Sequence, residues 1–308
     1  MDNGVCIQVR IAASPDRIYH ALTDSRALEG WFAEHANIVL AEQQYDFWGR
    51  YTLGTPDRAQ GKHPLTHVEP NQRLQYTWPL PDAQTAVDIR LIPQEQDTMV
   101  VMRHQHVADG NHQLAIYTYE DFWFLSLENL RRYVDGKTAP VRCDFTDPML
   151  GDVQHTVEID APAETVFDTL IRPEQLNRWI ASYARVTPVV DGEYSYGWGE
   201  GVGPSKILEI EPNVKLAVLW PEGDHETIMT WTLAESGGKT RLTLVQSGFA
   251  PTQSTAGIHV GWWNFMNWVK SIAEYGADWQ PPFRALTTDI EAFYAGGIKN
   301  QQSDLIDG

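Results

Sequence analysis

Cysteine is nearly absent: the 308 residues contain two, Cys6 and Cys143, far apart and in no CxxC or Cys/His spacing. That excludes a disulfide scaffold and a structural zinc site, and it makes a reducing cytoplasm the expected compartment. Basic residues are also scarce, with Lys+Arg 23 against Asp+Glu 41 and a net charge of −18. Such a chain lacks the cations that contact phosphates and is repelled by anionic lipid, so neither nucleic acid nor membrane is an expected partner. No apolar run reaches the roughly eighteen residues of a membrane span. The first residues, Met1 to Arg17, show no basic stretch followed by an apolar one, so export is not expected either. Catalytic signatures are missing as well: there is no G-x-S-x-G elbow, no phosphate-binding loop followed by Lys, and no H-E-x-x-H.

What the chain has in quantity is aromatic side chains, 12 Trp, 12 Tyr and 10 Phe. They are distributed over an internal repeat. Val9 to Leu22, continuing to Leu28 and Trp31, matches Val157 to Leu170, Leu176 and Trp179 at a constant offset. Glu69-Pro70-Asn71, Leu74 and Trp78-Pro79 recur as Glu211-Pro212-Asn213, Leu216 and Trp220-Pro221, and Gly49-Arg50-Tyr51 with Gly54 is matched to Gly192-Glu193-Tyr194 with Gly197. Two copies of one domain follow. The expected division is a first domain over 1–140, a linker over 141–152, a second domain over 153–283, and a tail over 284–308 with a short helix from Ala285 to Tyr294.

Each copy has the same predicted order. A strand precedes a helix opened by Pro and a second short helix ending at Trp31 or Trp179. Several strands follow. Val87, Ile89 and Leu91, like Met229, Trp231 and Leu233, alternate with polar residues and define one buried face. The last strand places Val100, Met102, His104 and His106 on one side, matched by Leu242, Leu244, Gln246 and Gly248. A long amphipathic helix closes each copy, with Tyr119, Trp123, Leu127, Leu130 and Val134, or Ile258, Trp262, Phe265, Val269 and Ile272, at spacings of three and four. The fold class is α+β: two tandem helix-grip domains, each an antiparallel curved sheet wrapped around a long C-terminal helix.

Glu211 to Trp220, the strand end Leu244-Val245-Gln246-Ser247-Gly248-Phe249 and the helix start Gly261-Trp262 resemble the START/Bet v 1-like (SRPBCC) superfamily, and within it the homologues of the activator of heat shock protein 90 ATPase. The second copy carries these motifs more fully. In the first, Asp121-Phe122-Trp123 replaces the Gly-Trp start and Gln105-His106-Val107 replaces Ser-Gly-Phe. The resemblance implies a gap between sheet and long helix that in this superfamily often widens into a ligand cavity.

The candidate cavity residues are Tyr194, Trp198, Trp220, Met229, Trp231, Leu244, Gln246, Trp262 and Phe265 in the second domain and Trp78, Met102, His104 and Trp123 in the first. The same rings serve equally to fill a core, and both readings stay open. His104 and Gln246 occupy equivalent inward positions, where each can anchor a ligand's polar end or simply bond a neighbour. His104, His106 and His112 make at most half a metal site, so no metal and no cofactor is expected. Gly197 to Gly203 reads as a loop near a cavity mouth.

Three functions are carried forward. The first is a noncatalytic protein binding a small hydrophobic or aromatic molecule, with the second domain as the expected site. A cyclase or isomerase would use His104, His106 or Tyr194 as its acid–base group. A chaperone ATPase regulator, with a chaperone as its protein partner, is implied by the family resemblance alone.

Overall fold

The computed structural model describes residues 4–80, 83–106, 116–137, 139–222 and 225–284. The first half runs β1 (Gly4–Ile11), α1 (Pro15–Thr23), α2 (Ser25–Trp31), β2 (His35–Val39), β3 (Gln44–Trp48), β4 (Leu65–Glu69), β5 (Arg73–Leu80), β6 (Ala83–Pro93), β7 (Thr98–His106) and α3 (Ile116–Val134). The second runs β8 (Val153–Ile159), α4 (Ala163–Ile171), α5 (Pro173–Trp179), β9 (Arg185–Val186), β10 (Tyr194–Ser195), β11 (Lys206–Glu211), β12 (Lys215–Glu222), β13 (His225–Ser236), β14 (Lys239–Ser247) and α6 (Ala256–Tyr275). A last short strand, β15 (Phe283–Arg284), follows.

Both halves are antiparallel sheets under one long helix. The orders are β15-β1-β7-β6-β5-β4 and β11-β12-β13-β14-β8, so the first strand of each half pairs with the last long strand and the rest follow as a meander. Alternation decides the faces. Val87, Ile89, Leu91, Val100 and Met102 are buried in the first sheet, and Met229, Trp231, Leu233, Leu242 and Leu244 in the second. Both outer hairpins shift register at the same place, between Leu65 and His67 and between Ile207 and Glu209. A bulge there strengthens the local twist and bends the strand. Asn71 and Asn213 turn those hairpins with φ of 62° and 64°, a left-handed conformation that asparagine tolerates well.

Equivalent side chains lock each half in the same way. The Trp31 indole N–H donates to Ala21 O and that of Trp179 to Thr169 O, both at 2.9 Å, and each bond ties the second short helix to the first. Thr98 and Thr240 hydroxyls each donate at 2.7 Å to Ala13 O and Ala161 O. The small hairpins correct one detail of the repeat. Tyr45 pairs with Ile38 and donates its hydroxyl to Leu22 O at 2.9 Å, while Tyr194 pairs with Val186 and donates to Leu170 O at 2.6 Å. Tyr45, not Tyr51, is therefore the counterpart of Tyr194. The shared Gly-x-Tyr string made the other register look better in sequence.

The two long helices meet along a polar seam that their apolar periodicity did not announce. Glu128 on α3 is fully buried, accepts from Ser271 Oγ at 2.5 Å and Trp279 Nε1 at 3.2 Å, and pairs with Arg131. Arg132 donates to Ser271 Oγ at 3.1 Å and to Glu274 at 2.7 Å, and Asn267 Nδ2 donates to Asn129 Oδ1 at 3.0 Å. The intervening segment is stitched in too: Val141 and Cys143 are buried, and Asn129 donates to Val141 O. After α6 the chain returns to the first sheet, where β15 pairs with β1 through Ile7 and Gln8, and Arg284 salt-bridges Glu120. The helix expected over Ala285 to Tyr294 lies outside the described residues.

Two seam carboxyls are held in opposite directions. Burial opposes ionisation of Glu274, but Arg132, the Asp160 backbone N–H and Lys270 together outweigh it and hold the carboxyl at about 2. Burial dominates at Asp121, against a hydrogen bond from Asn264, and pushes it up to about 7. For Glu274 the stability is present above the ordinary value of 4.5 and lost as pH falls toward 2. For Asp121 the unfolded chain releases its proton first, so stability falls as pH rises from 3.8 to about 7. Asp121→Asn should therefore raise stability at pH 8, on the order of 2 kcal/mol, and remove the decline between pH 4 and 7. Glu274→Gln should flatten the loss below pH 4.5. Urea midpoints measured across pH check both.

Candidate functional site

Four residues in each domain make one hydrogen-bond chain between helix and sheet. In the first domain Trp123 on α3 donates its indole N–H to His104 Nδ1 at 2.9 Å, His104 Nε2 lies 2.7 Å from Thr85 Oγ1, and Thr85 donates to Trp78 O at 2.7 Å. An indole only donates, so Nδ1 is the acceptor and the ring proton sits on Nε2. In the second domain Trp262 donates to Gln246 Oε1 at 2.7 Å, Gln246 Nε2 donates to Thr227 Oγ1 at 3.0 Å, and Thr227 donates to Trp220 O at 3.0 Å. His104 and Gln246 are thus interchangeable parts of one relay. Satisfying buried donors and acceptors is what places these polar residues on an apolar face.

Around equivalent relays the two interiors differ. Phe122 in the first domain is buried and packs edge-on against Phe32 at 5.7 Å, Trp78 at 5.8 Å and Trp123 at 5.3 Å. Trp78 also donates to Leu53 O at 3.2 Å and is fully buried. The residue preceding the relay tryptophan in α6 is Gly261, with no side chain to occupy that space. A cavity of about 390 Å³ opens there, lined by Trp198, Gly201, Val202, Gly203, Trp220, Pro221, Gln246, Ile258, Gly261, Trp262 and Phe265. Its rings stand roughly at right angles. Trp220 is 5.6 Å from Trp262 and 5.9 Å from Trp198, and Phe265 is 5.9 Å from Trp262. The Trp220 indole N–H has no hydrogen-bond partner among the described residues, unlike that of Trp78.

The mouth is shaped by the glycine-rich loop. Trp198 is pinned through its N–H to Ile180 O at 2.8 Å and remains 36% exposed, the most open of the aromatics on the cavity wall. Gly197 has a φ of 71°, and a Cβ there would stand 2.4 Å from Tyr183 O. At Gly203 a Cβ would press on the Trp198 ring at 3.2 Å. These two positions demand glycine for the loop to lie against the wall.

Of the candidate residues, Trp198, Trp220, Gln246, Trp262 and Phe265 converge on the cavity. Tyr194, Met229, Trp231 and Leu244 are fully buried and are not among its lining residues; Trp231 packs edge-on against Trp262 at 5.5 Å. Trp78, Met102, His104 and Trp123 lie together in the first core. The acid–base candidates are occupied otherwise. Burial raises Tyr194 far above the ordinary tyrosine value and its hydroxyl is committed to Leu170 O, while both ring nitrogens of His104 belong to the relay. His112 and the side chain of His106 lie outside the described residues, and among the described residues no cluster of three or more His, Cys, Asp or Glu is placed to hold a metal. Thr85 and Thr227 went unread in sequence, although they recur at the same spacing from the Trp-Pro pairs.

The family model described as activator of Hsp90 ATPase homolog 1-like protein matches residues 12–135 and again residues 160–274. The chain belongs to that family. Both matches of the activator of Hsp90 ATPase homolog 1-like family end in or at the close of a long helix, α3 or α6. No curated protein matches the chain. Among solved structures, DynU16, a protein in the dynemicin biosynthetic locus, is 17% identical over 89% of this chain and 99% of its own, with a TM-score of 0.38. CalU16 from Micromonospora echinospora is 19% identical over 44% of this chain and 77% of its own, with a TM-score of 0.36. The Aha1 dimer from Colwellia psychrerythraea is 18% identical over 41% of this chain and 98% of its own, with a TM-score of 0.34. No helix among the described residues is long and apolar enough to cross a membrane.

Cutting the relay tests its part in holding helix to sheet. Thr85→Val keeps the shape but removes the acceptor facing His104 Nε2–H, while the Trp78 carbonyl keeps its ladder bond, and should destabilise the protein by about 1–3 kcal/mol in urea unfolding. A value near zero would mean that the relay holds nothing.

Proposed function

We propose that this protein is a noncatalytic binding protein that holds one small, flat, apolar molecule in its second domain, with the first domain as solid support. The observation that carries the reading is the exchange of Phe122 for Gly261 at one helical position, which coincides with a cavity of about 390 Å³ under α6. That volume falls in the roughly 300–1,000 Å³ range of small-molecule sites. Indole and phenyl walls suit an aromatic guest, since they give large contact area with few rotamers to freeze. A cyclase or isomerase needs a proton donor or acceptor beside its substrate, and the eleven lining residues include no ionisable side chain. We take the domains as 1–140 and 153–283. The scarcity of cysteine, two in 308 residues, favours a reducing cytoplasm.

N-Phenyl-1-naphthylamine, a neutral probe that brightens in apolar surroundings, should bind saturably with one site per chain. Gly261→Phe should weaken that binding more than tenfold while leaving the fold intact, because a Cβ there meets Asp121 Oδ2 only at an ordinary 3.5 Å and phenylalanine is the better helix former. Absence of saturable binding to the unsubstituted protein would end this reading. The family's description supports a second one, in which the protein adjusts chaperone ATP hydrolysis. Unchanged ATP turnover by a purified Hsp90 chaperone on titration with the protein would remove it.

A further inference from the structure

The two relays differ in one chemical respect. A neutral imidazole has one donor and one acceptor, and His104 spends both: Nδ1 on Trp123 and Nε2–H on Thr85. A primary amide has two N–H hydrogens and two carbonyl lone pairs. Gln246 performs the same task with half of that capacity, accepting once from Trp262 and donating once to Thr227. One N–H hydrogen and one lone pair of Gln246 therefore have no partner among the described residues. They belong to a side chain that is only 1% exposed and lines the cavity. Water entering the cavity meets those two valences, so a guest that supplies both partners replaces that water without loss, whereas a hydrocarbon leaves them unpaired.

The rest of the wall restricts that guest further. None of the eleven lining residues is ionisable, so a carboxylate or ammonium entering the cavity would give up its hydration without a counter-charge. The chain's net charge of −18 adds repulsion against anions. We propose that the Gln246 amide is the polar anchor of the second-domain cavity, and that the molecule it selects is flat, uncharged and carries a neutral amide-type group able to donate and accept at once. The proposal rests on the cavity reading above and adds to it what kind of molecule enters.

The protein supplies its own control. Histidine already holds this relay in the first domain between the same Trp and Thr partners, so Gln246→His should keep Trp262 tied to Thr227 while deleting the spare donor and acceptor. The probes are naphthalene, 2-naphthamide and 2-naphthoate, each competed against N-phenyl-1-naphthylamine on the full chain. In the unsubstituted protein 2-naphthamide should bind about tenfold more tightly than naphthalene, the return expected from two neutral hydrogen bonds, although water alone favours transfer of the hydrocarbon. 2-Naphthoate should bind at least about tenfold more weakly than the amide. In Gln246→His the amide's advantage over naphthalene, measured on that variant, should shrink to about twofold or less. Should that variant not fold, the three-probe series on the unsubstituted protein tests the same point. If N-phenyl-1-naphthylamine binds but 2-naphthamide gains nothing over naphthalene, or keeps its gain in Gln246→His, the anchor is overturned and the cavity reading stands. If N-phenyl-1-naphthylamine does not bind at all, the cavity reading falls and the anchor with it.

Discussion

In each domain a buried indole N–H on the long helix finds its acceptor on the sheet, and that bond ties the helix to one place on the strands. Trp123 reaches His104 and Trp262 reaches Gln246, and a threonine hydroxyl in each case passes the chain of bonds to the carbonyl of a second tryptophan. The relay joins three strands and the helix through groups that are each satisfied by the next. Removing His104 or Gln246 would take the acceptor from a buried indole N–H, which is more damaging than the loss of one average hydrogen bond. A chain with many aromatic rings can pack them in many ways. The relay selects one arrangement and repeats it.

Given the same frame twice, the two interiors differ in side-chain volume. Phe122 and Tyr119 in α3 stand where α6 has Gly261 and Ile258, and the first interior is filled with rings at this point. In the second the floor of the relay faces a cavity. The helices that bear these differences also pack on one another through Glu128, Arg132, Ser271 and Glu274, so α3 buttresses the helix that lies over the cavity. The family's fold hosts more than one kind of activity, and here the cavity wall, rather than the fold, carries the functional argument.

Much of this was legible in the residues. The repeated blocks, offset by 148 residues from Val9 to Val157 and by 142 from Trp78 to Trp220, encode the duplication. The alternation of Met229, Trp231 and Leu233 fixes their burial, and the helical spacing of Trp262, Phe265, Val269 and Ile272 fixes which side of α6 meets the sheet. What stayed hidden has physical reasons. Glu128, Arg132 and Asn267 look like the solvated side of an amphipathic helix until a second helix covers them. The exchange of Phe122 for Gly261 is visible as letters, but the space it leaves exists only once helix and sheet are docked. Tyr194 reads as an inward ring near a gap, whereas its hydroxyl is bound to Leu170 O and the ring is fully buried outside the cavity lining. The equal roles of His104 and Gln246 depend on which ring nitrogen is protonated and how an amide is turned, and only their partners reveal that.

The most direct measurement is a crystal structure of the full chain grown with N-phenyl-1-naphthylamine. The account predicts density for the probe under α6, between the Trp220 and Trp262 rings and against Gln246, with Phe122 still filling the corresponding place in the first domain. Density under α3 instead, or a second-domain interior closed by its own side chains, would contradict it.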